Sequence, residues 1–516
     1  MKAKLILPAL AETRDPSIRG VKYWRFPPLG LATLAAYLDR SDDIDLQDEH
    51  VETLDTREAP DLVAIQAYTS SAHRAYALAD AYRARGAHVC IGGLHVTSMP
   101  REALAHADTV FLGPGEDTWP RFLADFRAGR PRRLYRSRGR TLAGAPPLRR
   151  DLIKSHLYLV PNTLVVSRGC PHHCDFCYKD AFYRGGRSFY TQPIDEALAE
   201  IERLPGRHLC FLDDNILGDP RFAEGLFDAL RGMGRVWLAA GTVQAVLRYP
   251  RLLEKAAEAG MRSLFVGFET LSDESLRSVH KTHNLQRDYG AACRRLHGLG
   301  VMVNASFVFG MDGDDASVFD RTVEWAVRQG IESATFHILT PYPGTRLFRR
   351  MEKEGRLLTR NWDLYDTRHA VFRPARMSPA ALEAGYRRAN RQFGSWPAIW
   401  RAAAVKDNLR DRLRHLVFSS SLRGWRPVWS WIIRHRRLRN MVPIMEWVLE
   451  AFGRYAGAGA PAPEHVREAA SERLGIGGAL AFGDWNDNGT NDRRMDDHRL
   501  IDEAIAHMRA AGGADV

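Results

Sequence analysis

Cysteine is scarce in this chain, with six in 516 residues, too few for a disulfide-stapled secreted scaffold. Cys90, Cys210 and Cys293 stand singly in apolar or helical contexts that read as buried packing. Long hydrophobic runs are missing too. The opening MKAKLILPAL has too short an apolar stretch for a signal peptide or a membrane span, so the expected compartment is the reducing cytoplasm. Acids are absent where bases crowd: residues 127–150 hold nine arginines and no Asp or Glu, and 401–440 hold eleven bases against two acids. Those segments carry +9 each against a net charge of +11, leaving the rest of the chain at −7. Basicity confined to two segments is no mark of nucleic-acid binding. No Ser/His/Asp triad or paired-carboxylate arrangement stands out, so hydrolytic acid–base chemistry has no candidate machinery.

The remaining cysteines are concentrated. Cys170, Cys174 and Cys177 fall in Ser167-Arg-Gly-Cys-Pro-His-His-Cys-Asp-Phe-Cys-Tyr178. Three thiolates can hold three irons of a four-iron cluster and leave the fourth open. Tetrahedral zinc, taking the three sulfurs plus His172 or His173, is the alternative. Structural zinc draws its ligands as separated pairs, however, and no second CxxC pair occurs. A CxxxCxxC loop with an aromatic before its last cysteine resembles the radical S-adenosylmethionine (SAM) superfamily. The resemblance implies a 4Fe-4S cluster whose open iron chelates SAM and, once reduced, cleaves it to a 5′-deoxyadenosyl radical.

The loop sits in a repeating pattern. Strand candidates at 163–167, 208–213, 236–240, 263–267, 303–309 and 333–339 are mostly separated by helices of ten or more residues, which predicts a partial (β/α)6 barrel over 159–360 with its chemistry at the C-terminal strand ends. At those ends stand Asp213 and Asp214, suited to the ribose or ammonium of SAM or to helix capping, then Glu269 and Thr270. In the family the last two match SAM contacts. Phe176 and Tyr178 would flank the adenine, and Tyr342, in Leu339-Thr-Pro-Tyr-Pro-Gly-Thr345, is the catalytic candidate facing SAM or substrate.

Residues 1–126 show an earlier series of strands at 5–10, 44–47, 62–66, 88–91 and 109–112, with helices starting near 29, 70, 100 and 118, the pattern of a Rossmann-like parallel α/β domain. Glycine after a strand lets a ligand approach the backbone. Gly92 and Gly93 before His95, and Gly113, Gly115 and Glu116, supply two such turns, and Thr69 and Ser70 a hydroxyl-bearing third. Their order resembles the cobalamin-binding domain of cobalamin-dependent radical SAM enzymes and implies cobalamin as the further cofactor. The histidine that many cobalamin proteins place after the first strand is missing from Ala9–Asp15. His50, after the second strand, reads as a surface or packing residue, so the corrin is expected base-off and without a histidine ligand.

An Arg-rich linker is expected over 127–158, a helical region capping the barrel over 361–456, and a polar, partly flexible tail over 457–516 with a helix near 501–510. The capping region gathers Trp362, Trp396, Trp400, Trp425, Trp429, Trp431 and Trp447. Its 425–452 stretch reads either as a surface that lies on an anionic membrane or as a cationic helix packed on the barrel. The resemblance implies methyl transfer to an unactivated carbon of a small molecule, lipid or peptide, served by an electron donor such as flavodoxin or ferredoxin and without nucleic acid. Cyclisation or rearrangement with the same cofactors is the alternative, and a non-catalytic cobalamin or cluster sensor is a third reading.

Overall fold

The computed structural model describes residues 1–10, 26–158 and 160–424. The first sheet contains β1 (Lys2–Leu7), β2 (Asp43–Asp48), β3 (Leu62–Gln66), β4 (His88–Gly92), β5 (Thr109–Leu112) and β6 (Leu134–Arg136), all parallel in the order β2-β1-β3-β4-β5-β6. Alternate residues of the central strands feed two cores. Val63 and Ile65 face one with Val89 and Ile91, whereas Ala64 and Cys90 face the other with Phe111. Helices on both faces complete a doubly covered Rossmann-like sheet, the arrangement a parallel sheet requires. Cys90 is core packing, as expected.

Strand β6 lies inside the stretch expected as a linker. Only Tyr135 of its three residues is buried, stacked on Phe111 at 5.5 Å with its hydroxyl on Asp125 at 2.6 Å. One buried aromatic among arginines carries no periodic signal, which is why the strand is invisible in the sequence.

The second sheet, ordered β14-β13-β12-β11-β10-β7, is an open six-stranded parallel barrel. It comprises β7 (Thr163–Leu164), β10 (His208–Phe211), β11 (Val236–Gly241), β12 (Met261–Glu269), β13 (Met302–Phe309) and β14 (Ser333–Ile338). The expected first strand is cut short. After Leu164 the chain leaves the barrel and forms β8 (Ser167–Gly169), which pairs antiparallel with β9 (Phe189–Thr191) and carries the cysteine loop. Stacked rings of Phe268, Phe307 and Phe336 fill part of the core beside the strands, each buried ring contributing roughly 2–3 kcal/mol.

After β14 the chain first returns to the N-terminal domain. Trp362 packs there and donates from its indole to Glu102 Oε1 at 3.0 Å. Helices Pro379–Phe393, Trp396–Ala404 and Leu409–Gly424 then cover the barrel's outside. The Trp425–Arg439 stretch, the rest of 425–452 and the tail with its 501–510 helix lie outside the described residues. No described helix is long and apolar enough to cross a membrane.

Candidate functional site

The C-terminal ends of the two sheets meet. Between them lies a cavity of about 310 Å³, walled on one side by Gln66, Tyr68, Gly92, Gly93 and the Gly113–Glu116 turn, and on the other by Ser167, Arg168, Tyr178, Phe182, Tyr183 and Asp214. Both walls are built from strand ends and the turns that follow them, where a parallel α/β fold receives its ligands.

The cysteine loop is fixed before any ligand enters. Gly169 has φ +81°, and a Cβ there would come within 1.9 Å of the Ser188 carbonyl oxygen, so only glycine permits the approach at which Cys170 N donates to that carbonyl at 2.9 Å. Asp175 pins the middle: its N–H donates to Val279 O, its carbonyl accepts from Leu347 N, both at 3.0 Å, and Oδ2 lies 2.6 Å from His280 Nδ1. Cys170 and Cys174 are buried, Cys177 is half-buried, and no described cysteine is in a disulfide. One buried and one half-buried ammonium group flank the loop. Lys281 donates to Glu269 Oε1 at 2.8 Å and lies 6.0 Å from the Phe176 ring, and Lys179 sits 3.8 Å from Asp214. Such cations offset thiolate charge. His172 stacks on His283 at 3.8 Å, and His173 instead meets Asp180 at 2.8 Å.

Asp213 and Asp214 take different parts. Asp213 turns inward, accepting from Val166 N at 3.2 Å, from Ser167 Oγ at 2.5 Å and from Ser167 N. Burial pushes its carboxyl up to about 7 against those hydrogen bonds. It holds the chain where β7 gives way to β8 and does not line the cavity. Asp214 does line it, accepting from the Tyr178 phenol at 2.8 Å and Gly169 N at 3.1 Å. Asn215 puts its amide 3.8 Å from Cys170 Sγ, while its Oδ1 is buried without a hydrogen-bond partner. An unpaired acceptor beside the cluster loop fits an ammonium donor such as that of SAM. Glu269 has φ +65° at a bulge in β12, and Thr270 Oγ1 accepts from Ser272 N at 3.2 Å. Both stand at the barrel mouth, Glu269 on the cluster side.

Five of the six residues proposed at the glycine turns, Gly92, Gly93, Gly113, Gly115 and Glu116, line the cavity. Packing requires glycine at two of these positions: a Cβ at Gly93 would lie 2.7 Å from Ala67 O, and one at Gly115 2.9 Å from Leu34 Cδ2. His95 stands elsewhere. It is fully buried, 3.4 Å from Glu102 Oε1 and 5.2 Å from the Trp362 ring. Thr69 is buried in a turn and Ser70 is half-buried, neither on the cavity wall, where Tyr68 takes their place. Tyr342 packs against the N-terminal core rather than the cavity. His50 is buried 2.7 Å from Asp48 and is a packing residue. Arg168, Tyr68 and Lys281 were not singled out by sequence, although Arg168 stands inside the cysteine motif.

Comparison with known proteins agrees with this geometry. Residues 164–326 match the Radical SAM superfamily, and residues 21–123 the B12 binding domain. Bacteriochlorophyllide d C-12(1)-methyltransferase of Chlorobaculum tepidum is 30% identical over 387 residues, covering 72% of this chain and 83% of that one. Bacteriochlorophyllide d C-8(2)-methyltransferase of the same organism is 26% identical over 381 residues, covering 69% and 82%. The cobalamin-dependent SAM radical enzyme OxsB, solved with aqua-cobalamin and SAM, shares the fold at a TM-score of 0.61 and 12% identity, covering 100% of this chain and 82% of that one. The chain belongs to the cobalamin-dependent radical SAM enzymes. It is a radical SAM enzyme of the methyltransferase family, and its cofactors are a 4Fe-4S cluster, SAM and cobalamin.

Proposed function

We propose that this enzyme methylates an unactivated carbon of a small-molecule substrate. The observation that carries the reading is the single cavity in which the glycine turns of the N-terminal domain face Tyr178, Asp214 and the start of the cysteine loop. When bound, the cluster with SAM supplies a carbon radical and cobalamin supplies a methyl group. Cys170, Cys174 and Cys177 would hold the cluster, Asn215, Asp214 and Glu269 would orient SAM, and the Gly92–Gly93 and Gly113–Glu116 turns would hold the corrin. The protein's own part is confinement. Tyr178, Phe182 and Tyr183 wall the cavity with rings and limit water, while Asp214 fixes Tyr178 through its hydroxyl. Tetrapyrroles are the substrate class best supported, because two relatives are named for acting on a bacteriochlorophyllide.

The test is anaerobic reconstitution with SAM carrying a deuterated methyl group, a low-potential reductant and candidate tetrapyrroles. A product heavier by one labelled methyl in place of hydrogen, with 5′-deoxyadenosine released, is expected. Exchange of any of the three loop cysteines for alanine abolishes both, whereas Cys210→Ala leaves the iron content intact. A product changed in oxygen or hydrogen count without the label would replace methyl transfer by cyclisation.

A further inference from the structure

A second cavity, of about 60 Å³, adjoins the first, with Gly113 and Phe182 lining both. Its volume is several times the ~10–15 Å³ that one water needs. Ser98, Arg136, Ser137, Arg184 and Gly344 supply much of the wall, and no carboxylate belongs to it. The two arginines come from distant parts of the chain. Arg136 ends β6, in the stretch that sequence reads as a linker, and Arg184 follows the short helix Lys179–Phe182 beyond the cysteine loop. Neither side chain makes a hydrogen bond or ion pair with any described residue. Arg168 and Arg150, by contrast, are paired with Glu116 and Glu200.

The remaining wall is polar, with the Asp117 carboxylate, hydrogen-bonded by the Ser137 hydroxyl, behind it. Ser137 Oγ accepts from Arg140 Nη1 at 2.8 Å, so a third guanidinium backs that hydroxyl. Gly344, at φ +82°, lets the loop after β14 close on the cavity, since a Cβ there would lie 2.6 Å from Ser98 Oγ. Two exposed guanidinium groups on one small polar space concentrate positive potential that an anion would neutralise. Their planar forks match carboxylate and phosphate oxygens, and the Ser98 hydroxyl adds a donor.

We propose that this cavity is an oxyanion site, taking a carboxylate or phosphate group of a molecule seated in the neighbouring cofactor cavity. Two sources carry that chemistry: the phosphodiester in the nucleotide tail of cobalamin, and an acidic side chain of the substrate.

The test uses full-length, cluster-reconstituted protein and the variant Arg136→Gln/Arg184→Gln, whose replaced side chains lie on the surface. Calorimetric titration with inorganic phosphate should show binding that the double variant weakens roughly tenfold and that Arg136→Lys/Arg184→Lys partly restores. Absence of phosphate binding by the wild type, or equal binding by both proteins, overturns the proposal. Anaerobic absorbance titrations with hydroxocobalamin and with cobinamide, which lacks the phosphodiester, then separate the sources. A loss confined to hydroxocobalamin identifies the tail phosphate, and unchanged binding of both corrins together with the phosphate loss identifies the substrate. Equal loss for both corrins would show that the arginines only support the fold and would also overturn it. None of these measurements needs turnover, so their failure leaves the proposed methyl transfer standing.

Discussion

Arg168 Nη2 donates to Glu116 Oε1 at 2.8 Å, tying the residue two before the first loop cysteine, Cys170, to the turn after β5. This pair spans the seam between the two domains at the cavity itself. Removing one partner strands the other. Glu116→Gln or Arg168→Gln should each lower stability by about 1–3 kcal/mol and weaken cobalamin retention. The double variant should lose less than the sum of the two, read by thermal unfolding in a double-mutant cycle. Strict additivity would mean that the contact does not couple the domains.

Gly93→Ala should cost about 2 kcal/mol, because φ is +112° and the new methyl would meet Ala67 O at 2.7 Å and Ala67 N at 3.1 Å. The same shift moves the end of β3 into the cavity wall, so hydroxocobalamin binding should fall as well. Gly86→Ala is the control. Its φ is +85° with nothing within 4 Å of the new Cβ, so it should cost only about 1 kcal/mol and leave cobalamin binding unchanged.

Among the residues lining the cavity none is histidine, and 11–25, the segment after β1 that the structure does not describe, contains none in its sequence. Cobalamin reduced to the cobalt(II) state on this protein should therefore give an electron resonance spectrum without nitrogen splitting from an imidazole. His50→Gln should leave that spectrum untouched. A nitrogen pattern that disappears in this variant would make His50 a ligand and reverse its assignment as a packing residue.

Acid should loosen the outer helix Leu409–Gly424. Burial lowers His415 to about 4 from the ordinary 6.5, with Glu332 opposing and Lys406 and His297 adding to the effect. Because the folded value lies below the ordinary one, the stability of the neutral ring is whole above pH 6.5 and is lost as pH falls towards 4. The span corresponds to roughly 3 kcal/mol. The same helix is held by Ser419 Oγ on Glu332 O at 3.0 Å, and Lys406 Nζ meets Glu332 Oε1 at 2.5 Å. His415→Gln should unfold with a visibly smaller loss between neutral pH and about pH 5. An equal loss in both proteins would place the acid sensitivity elsewhere.

Sequence pattern specifies structure where one rule governs many neighbouring residues. Leu62–Gln66 and Thr109–Leu112 coincide with β3 and β5, because short apolar runs bounded by turn residues can satisfy a doubly covered parallel sheet in one way. The first barrel strand, Thr163–Leu164, is shorter than its apolar pattern. Val165 to Ser167 look like its continuation, yet Asp213 takes Val166 N and Ser167 N and redirects the chain into β8. A hydrogen bond between residues 46 apart leaves no trace in local pattern.

By itself, the sequence determined the CxxxCxxC spacing of the three loop cysteines, the two cofactor-bearing folds and the order in which they occur, since each is written in a contiguous motif. Only the tertiary structure decided that Asp214 and not Asp213 faces the cavity, that His95 is spent on Glu102 and Trp362, that Arg168 reaches Glu116, and that Arg136 and Arg184 share a wall. These facts depend on how two sheets bring their strand ends together. Charge and hydrogen bonding act across that seam over a few ångströms, between residues that the chain itself keeps far apart.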